Sequence, residues 1–230
     1  MAYEYVSKKE VSIAREEIEE KIHKVQKYLE KECILTFQYY LVGSASNKRH
    51  LVTRIKNGNK GFDLDYNIVI QKINRDYKKP KDIKNCLINA FNMFLDNPYK
   101  SCENSTSVFT IKKLNKKTKT IEYSFDFAIV DYFDEEIKNP NYNPFIDSLN
   151  EEFYVYERQR YIKFNKKTQQ YFWEIRKIAS NHRFKERYIK NNGLWEDLRK
   201  IYLDKKNNNP TCKKSRILYY ETVNEIIEKL

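Results

Sequence analysis

The chain of 230 residues carries a formal net charge of +12 and is rich in aromatic residues, with 19 Tyr and 13 Phe but only 4 Gly and 5 Pro. This composition excludes low-complexity disorder and predicts a globular protein with a large aromatic core. The charge favours polyanionic partners such as RNA, DNA or nucleotide phosphates. Lysines that only solubilise an aromatic-rich surface, or a bias in the coding DNA, would give the same charge.

The cysteines and histidines, four and three in number, are scattered along the chain. Their spacing excludes a zinc motif and a disulfide framework. The N-terminus lacks the basic-then-apolar order of a signal peptide, and no apolar run approaches the ~20 residues that span a bilayer. We therefore expect a reduced, soluble, cytoplasmic protein with no membrane contact.

A long helix followed by a buried strand opens the predicted order. Ser7 and Glu10 match a capping box, in which each side chain bonds the backbone N–H of the other residue. Apolar residues at helical spacing follow as far as Glu32 and predict one amphipathic helix. The β-branched and aromatic run 34–42 predicts a buried strand that ends at Gly43.

Turn signals between residues 51 and 98 predict two strands and a second helix. The segment 57–61, rich in Asn and Gly, predicts a hairpin whose strands cover residues 51–56 and 62–70. Pro80 stands at the first turn of an apolar helical pattern over residues 80–96, which Asn97-Pro98 ends.

The second half of the chain is predicted as a strand pair and then helices. Residues 107–114 and 120–133 read as strands joined by a polar turn at 115–118. A loop at 139–144 with two prolines is the predicted boundary between a core of residues 1–138 and a helical lobe of residues 139–230. Helical patterns in the lobe cover about 167–191, 194–206 and 213–230.

Three aspartates on predicted strands form the candidate site. Asp63 and Asp65 stand two residues apart, so their side chains point to the same face of a strand. Two carboxylates held so close repel each other unless a cation lies between them, and carboxylate oxygens suit Mg²⁺. Asp126 lies in the middle of the later strand, whereas its rival Asp131 lies where that strand ends. With Gly43-Ser44 before them, the three acids indicate metal-assisted chemistry on a nucleotide.

Each of these residues also has an ordinary interpretation. Asp63 and Asp65 could occupy solvent-facing positions of an edge strand with apolar neighbours packed inside, and the same holds for Asp126. A basic cluster on the second strand pair could bind an RNA backbone or could be a solvated turn. The cluster consists of Lys112, Lys113, Lys116, Lys117 and Lys119.

The order of the elements resembles the nucleotidyltransferase superfamily typified by DNA polymerase β. Its pattern is a hydrophobic residue before Gly-Ser, then acid-x-acid between apolar residues, then a third acid within an apolar strand. Val42-Gly43-Ser44, Asp63-Leu64-Asp65 and Asp126 occupy those positions. The resemblance covers residues 5–135 and is nearest to the oligoadenylate and cyclic-dinucleotide synthases and to the template-independent RNA nucleotidyltransferases. It implies an α+β fold, in which a mixed sheet with helices is closed by a C-terminal helical lobe.

The stretch from Gly43 to Asp63 is longer than in compact members of this superfamily. Longer stretches occur among the cyclic-dinucleotide synthases and their animal relatives, in which a hairpin leads into the acid pair. The segment from Asn57 to Asp65 looks similar to that arrangement.

The resemblance implies a role for each site residue. Gly43 would let the backbone approach the triphosphate, and Ser44 would offer its hydroxyl and N–H to phosphate oxygens. Asp63, Asp65 and Asp126 would be the catalytic residues and the ligands of two Mg²⁺ ions, for which Mn²⁺ could substitute. Asp126 would also act as general base.

A lysine of the helical lobe often contacts the triphosphate in related enzymes. The apolar spacing of residues 172–178 predicts a helix, and Lys177 on it is the candidate for this contact. Lys185 and Arg187 are its rivals.

These residues imply Mg²⁺-dependent transfer of a nucleoside monophosphate from an NTP to a hydroxyl, with release of pyrophosphate. The positive charge favours an RNA 3′ end as acceptor or nucleic acid as activator, and another nucleotide, giving a linear or cyclic oligonucleotide, is the next candidate. A small drug or a protein as acceptor would leave the charge unexplained. The alternative is a catalytically silent nucleic-acid-binding module on the same fold, against which the presence of all three carboxylates counts.

Overall fold

A computed structural model describes residues 2–46, 49–73, 79–138, 153–176, 182–209 and 213–229 of the chain. Within these ranges the α-helices are α1 Lys8–Cys33, α2 Pro80–Phe94, α3 His182–Asn191, α4 Trp195–Asn207 and α5 Ser215–Glu228. The strands are β1 Tyr3–Tyr5, β2 Thr36–Val42, β3 Thr53–Ile55, β4 Phe62–Lys72, β5 Glu103–Asn104, β6 Phe109–Leu114, β7 Ile121–Lys138, β8 Phe153–Asn165 and β9 Gln170–Ile175.

Helix α1 begins at the predicted capping box. The hydroxyl of Ser7 accepts the backbone N–H of Glu10 at 3.2 Å, and the Glu10 carboxylate accepts the N–H of Ser7 at 3.2 Å. The helix ends at Ile34, which caps it in the left-handed conformation. The face predicted from apolar spacing is buried, and it consists of Ala14, Ile18, Ile22, Val25 and Leu29. The predicted helix is therefore confirmed.

One mixed sheet carries the candidate site. Its strands stand in the order β2-β4-β7-β6-β5, and β8 pairs with β7 and with β9. Strands β4 and β7 run parallel, whereas the other pairs are antiparallel. Helix α2 lies between β4 and β7 in sequence, as the crossover between parallel strands requires. The predicted α+β class, a mixed sheet with helices, is confirmed.

The sheet separates two groups of helices. One face packs on α1 and α2 through fully buried side chains that include Leu64, Tyr66, Phe125 and Phe127. A second apolar cluster joins α3, α4 and α5 to Leu51. Burial of the first face leaves the alternate positions of β4 and β7, which carry the aspartates, on the opposite face.

The predicted hairpin between residues 51–56 and 62–70 is wrong. Strand β3 pairs with β1, with Tyr3 opposite Ile55, while β4 has β2 on one side and β7 on the other. The turn signal itself was sound, because Asn57 and Gly61 both adopt positive φ. The turn reverses the chain between β3 and β4, but β3 cannot pair with β4 because β2 and β7 already occupy both edges of β4.

The predicted helix over residues 167–191 is also wrong in its first part. Residues 170–175 form β9, which pairs with β8, and among the described residues of this range the helical ones are His182–Asn191. Asn165 starts the connecting turn by accepting the N–H groups of Lys167 and Thr168 at 2.9 and 3.3 Å. The aromatic residues at 171–173 suit a strand better than a helix, and pairing with β8 satisfies their backbone.

The predicted loop at 139–144 lies outside the described residues, and the domain boundary after residue 138 stays a prediction. Strands β8 and β9 belong to the sheet, and the first described helix after them is α3, which begins at His182. Helices α4 and α5 are confirmed close to their predicted positions. Among the helices in the described ranges, none combines the length and the apolar character needed to cross a membrane.

Candidate functional site

The parallel pairing of β4 and β7 brings the three aspartates together. Asp65 stands directly opposite Asp126, and Asp63 stands opposite Ser124, whose hydroxyl donates a hydrogen bond to the Asp63 carboxylate. Asp63 is exposed, while Asp65 and Asp126 are half-buried. The alternation that sends Leu64 and Phe125 into the core therefore sends these carboxylates to the opposite face.

The Gly43-Ser44 turn lies against the same carboxylates. Strand β2 runs antiparallel to β4 with Val42 opposite Asp65, so the turn after Val42 comes next to the Asp65 side chain. Gly43 has a φ of +68°, and a Cβ added there would lie 2.5 Å from Oδ2 of Asp65. Only glycine combines this left-handed backbone with so close an approach.

A cavity of about 1090 Å³ joins these residues to the helical part of the protein. Gly43, Ser44 and the three aspartates line its sheet side. Opposite them it is lined by residues of α4 and α5, which include Tyr202, Lys206, Arg216, Tyr219 and Tyr220. The cavity is at the upper end of the range for small-molecule sites.

Burial and mutual repulsion set the charge state of the carboxylates. Burial, with Asp126 and Asp63 nearby, raises the pKa of Asp65 to about 6. Burial also raises the pKa of Asp126, and Asp63 adds to that effect, whereas a hydrogen bond of 2.5 Å from Thr110 opposes it. A bound cation would therefore stabilise the ionised form of these carboxylates, because it offsets their mutual repulsion.

The donor set fits a hard cation. Among the described residues no group of three or more His, Cys, Asp or Glu side chains is arranged as a ready-formed metal site. One carboxylate oxygen of Asp63 and one of Asp126 accept hydroxyl groups, from Ser124 and Thr110, which leaves the second oxygen of each for a ligand. Three aspartates on one face, with raised pKa values in two, match the oxygen ligands of Mg²⁺.

Asp131, the alternative third acid, has a different environment. It stands opposite Arg160 on β8, and their side chains form an ion pair of 2.6 Å. Asp131 does not line the cavity, whereas Asp126 does. The structure thus places Asp126 beside the other two acids.

Lys206 is a cavity residue that the sequence did not single out. It lies at the end of α4, where its ammonium donates to the Thr53 hydroxyl at 2.6 Å and lies 4.5 Å from the centre of the Tyr3 ring. Burial lowers its pKa, while the charge of Asp63 opposes that change. No local signal in the sequence marks it, since it is one lysine among many and its hydrogen-bond partner Thr53 lies 153 positions away.

The basic residues predicted to contact the triphosphate are Lys177, Lys185 and Arg187, and the structure tests two of them. Lys177 lies outside the described residues. Lys185 donates to Asn224 at 2.7 Å, Arg187 is exposed, and neither lines the cavity. Arg176, at the end of β9, does line it, and burial together with nearby Arg216 lowers its pKa.

The basic cluster of the β6–β7 hairpin is only partly free for a polyanion. Lys112 pairs with Glu103, and Lys113 pairs with Glu17 at 2.8 Å and also approaches Glu122. The remaining lysines of the cluster are on the turn. RNA binding by this hairpin stays a prediction.

Comparison with known proteins gives structural likenesses only. No protein-family model matches the sequence, and a search of the curated proteins found no match. The 3′-deoxy GTP-bound DncV of Escherichia coli is similar over 96% of this chain and 53% of its own, with 13% identity and a TM-score of 0.49. The GTP-bound DncV of Vibrio cholerae is similar over 95% and 52%, with 15% identity and a TM-score of 0.45. The CD-NTase CdnG of Bradyrhizobium diazoefficiens in complex with GTP is similar over 72% and 39%, with 12% identity and a TM-score of 0.42.

These solved structures are cGAS/DncV-like nucleotidyltransferases, the superfamily that the order of motifs resembles. The chain spans between 39% and 53% of the length of the three. Likenesses at such identities and TM-scores carry no argument about activity. Function is therefore inferred from the residues of the cavity.

Proposed function

We propose that this protein is a Mg²⁺-dependent nucleotidyltransferase. It would transfer a nucleoside monophosphate from an NTP to a hydroxyl group and release pyrophosphate. The observation that carries this proposal is the meeting of Asp63, Asp65 and Asp126 with the Gly43-Ser44 turn at one cavity. A polar turn next to clustered carboxylates suits a substrate that arrives as a metal-bound triphosphate.

The turn and Lys206 would bind the triphosphate. The backbone at Gly43 carries no side chain that would keep phosphate oxygens away, and Ser44 presents a hydroxyl beside it. Lys206, across the cavity from Asp63, would add a positive charge to the same group. This places on Lys206 the role that the sequence assigned to Lys177.

The aspartates would hold the metal and take up a proton. Mg²⁺ bound by Asp63, Asp65 and Asp126 would offset the charge of the phosphates and lower the pKa of the attacking hydroxyl. Asp126, whose pKa is raised by burial, would also act as the general base that takes up the hydroxyl proton. The acceptor oxygen then bonds to the α-phosphorus, and pyrophosphate leaves with the electron pair of the broken P–O bond.

The proposed acceptor is an RNA 3′ end or another nucleotide. The test is incubation with each α-³²P-labelled NTP and Mg²⁺, with and without RNA, beside the double variant Asp63→Ala/Asp65→Ala. We expect label in RNA or in a small oligonucleotide with wild type and none with the variant. Salt-dependent RNA binding without transfer from any NTP would instead support the silent binding module. Failure to bind NTP with Mg²⁺ would contradict the proposal.

Lys206→Ala is expected to raise KM for the NTP about tenfold with a smaller change in kcat, because a charged contact to a phosphate is lost. Lys200→Ala is the matched control, since Lys200 is exposed on the same helix and does not line the cavity. Steady-state kinetics of both variants decide the matter. An equal KM for Lys206→Ala and wild type would remove Lys206 from the phosphate site.

A further inference from the structure

A half-buried arginine connects the Gly43-Ser44 turn to the helices. Arg49 Nη1 donates to the carbonyl oxygen of Gly43 at 3.1 Å, and its Nη2 donates to Glu186 Oε2 on α3 at 2.7 Å. The side chains of Arg49 and Glu186 are only 25% and 13% exposed. One guanidinium thus spans the distance from the turn to the helical wall of the cavity.

Glu186 is itself held by several donors. Lys190 and the hydroxyl of Tyr219 on α5 each donate to it at 2.9 Å. Burial would raise the pKa of Glu186, but the bonds from Arg49, Lys190 and Tyr219 outweigh burial and lower it to about 2. Trp195 at the start of α4 also donates to the backbone oxygen of Arg49 at 3.1 Å. The position of Arg49 is therefore fixed by all three C-terminal helices.

The contact at Gly43 has a consequence for Ser44. The carbonyl of Gly43 and the N–H of Ser44 belong to one planar trans peptide, in which they point in opposite directions. Ser46 also binds this carbonyl, through its hydroxyl at 2.9 Å and its N–H at 3.3 Å. Three donors on the carbonyl therefore fix the direction of the Ser44 N–H.

We propose that Arg49 is a positioning residue that aims the Ser44 N–H at the phosphates of the bound NTP and ties this alignment to helices α3, α4 and α5. The inference rests on the proposed function, because it assumes that a phosphate group is the ligand of the turn. Arg49 itself is engaged with Glu186 and Gly43 and acts through the peptide that it holds.

Arg49→Lys separates positioning from simple ion pairing. A lysine can still pair with Glu186, but a single ammonium lacks the planar fork that reaches the carboxylate and the carbonyl at once. The matched control is Arg54→Lys, because Arg54 likewise joins two partners, the carboxylates of Glu4 and Glu10, and does not line the cavity.

Three quantities are measured on the full chain: the thermal midpoint, amide hydrogen exchange of the 41–46 segment, and affinity for non-hydrolysable ATP and GTP analogues with Mg²⁺. In Arg49→Lys we expect exchange of the Ser46 N–H, which binds the same Gly43 carbonyl, to quicken and affinity to fall, each on the order of tenfold, with a midpoint close to that of Arg54→Lys. Arg54→Lys should keep wild-type exchange and affinity.

Unchanged exchange and affinity in Arg49→Lys, with wild type binding an analogue, would overturn the inference alone. A wild-type protein that binds neither analogue would overturn the proposed function and the inference with it. If Arg49→Lys does not fold, Glu186→Gln keeps the guanidinium but weakens the ion pair that holds it in place. Exchange of the Ser46 N–H should quicken and affinity should fall in this variant as well, and unchanged exchange and affinity there would overturn the inference.

Discussion

Asp65→Asn is expected to abolish nucleotidyl transfer and, at the same time, to stabilise the metal-free protein at pH 8. Loss of one carboxylate from a site that works as a unit should lower kcat by on the order of 1,000-fold or more. Stability should change in the opposite direction, because the variant removes a negative charge from a half-buried position that is repelled by Asp126 and Asp63. A residue kept for packing alone would not show this opposition.

The pH dependence follows from the raised pKa. Burial and the neighbouring acids raise the pKa of Asp65 from 3.8 to about 6, so the folded protein keeps a proton at pH values where the unfolded chain has lost it. The wild type therefore loses about 3 kcal/mol of stability as the pH rises from about 4 to above 6. Asp65→Asn carries no such proton, and its stability advantage should be full at pH 8 and only about half as large at pH 5.

Urea denaturation of wild type and Asp65→Asn at pH 5 and pH 8 measures these differences. Addition of Mg²⁺ should then raise the midpoint of wild type and leave that of the variant nearly unchanged, because a ligand that binds only the folded state stabilises it. A variant that is less stable than wild type at pH 8 would show that repulsion among the acids does not govern the site.

Local signals in the sequence predicted the elements that carry the site. Three of these signals act within a few residues, and the structure has the element that each one predicts. They are the capping box at Ser7, the apolar alternation around Asp63 and Asp126, and the proline that opens α2. Side chains of a strand alternate between its two faces. Because Leu64 and Tyr66 must enter the core, the acids of β4 must lie on the opposite face. The meeting of the acids needed one further fact, the parallel pairing of β4 with β7.

Long-range pairing is the part that the sequence could not supply. The turn before Phe62 predicted a hairpin, but β3 pairs with the N-terminal β1, which lies some 50 residues earlier. Lys206 enters the cavity because Thr53 and Tyr3 hold it there, and nothing near Lys206 in the sequence indicates that contact. Arg49 likewise acquires its partner Glu186 from 137 positions away.

Gly43→Ala is expected to lower transfer activity by on the order of 100-fold, because displacement of a catalytic group by about 1 Å is enough for such a loss. The new Cβ would lie 2.5 Å from Oδ2 of Asp65, so the Asp65 carboxylate must rotate away from its place opposite Asp126. The backbone would also be strained, since Gly43 has a φ of +68°. The contact with Asp65 should lower activity, whereas the backbone strain should lower stability, so a control with strain alone is needed to tell the two effects apart.

Gly193→Ala is the control that has the backbone strain without the contact. Gly193 also has a positive φ, +73°, but a Cβ there would meet no atom within 4 Å. Both variants should lose about 1 kcal/mol of stability through backbone strain, which chemical denaturation measures. Only Gly43→Ala should lose activity and Mg²⁺-dependent stabilisation, because only there does the added methyl group meet a carboxylate of the site. Equal activities in the two variants would mean that the close approach of Gly43 to Asp65 has no part in the reaction.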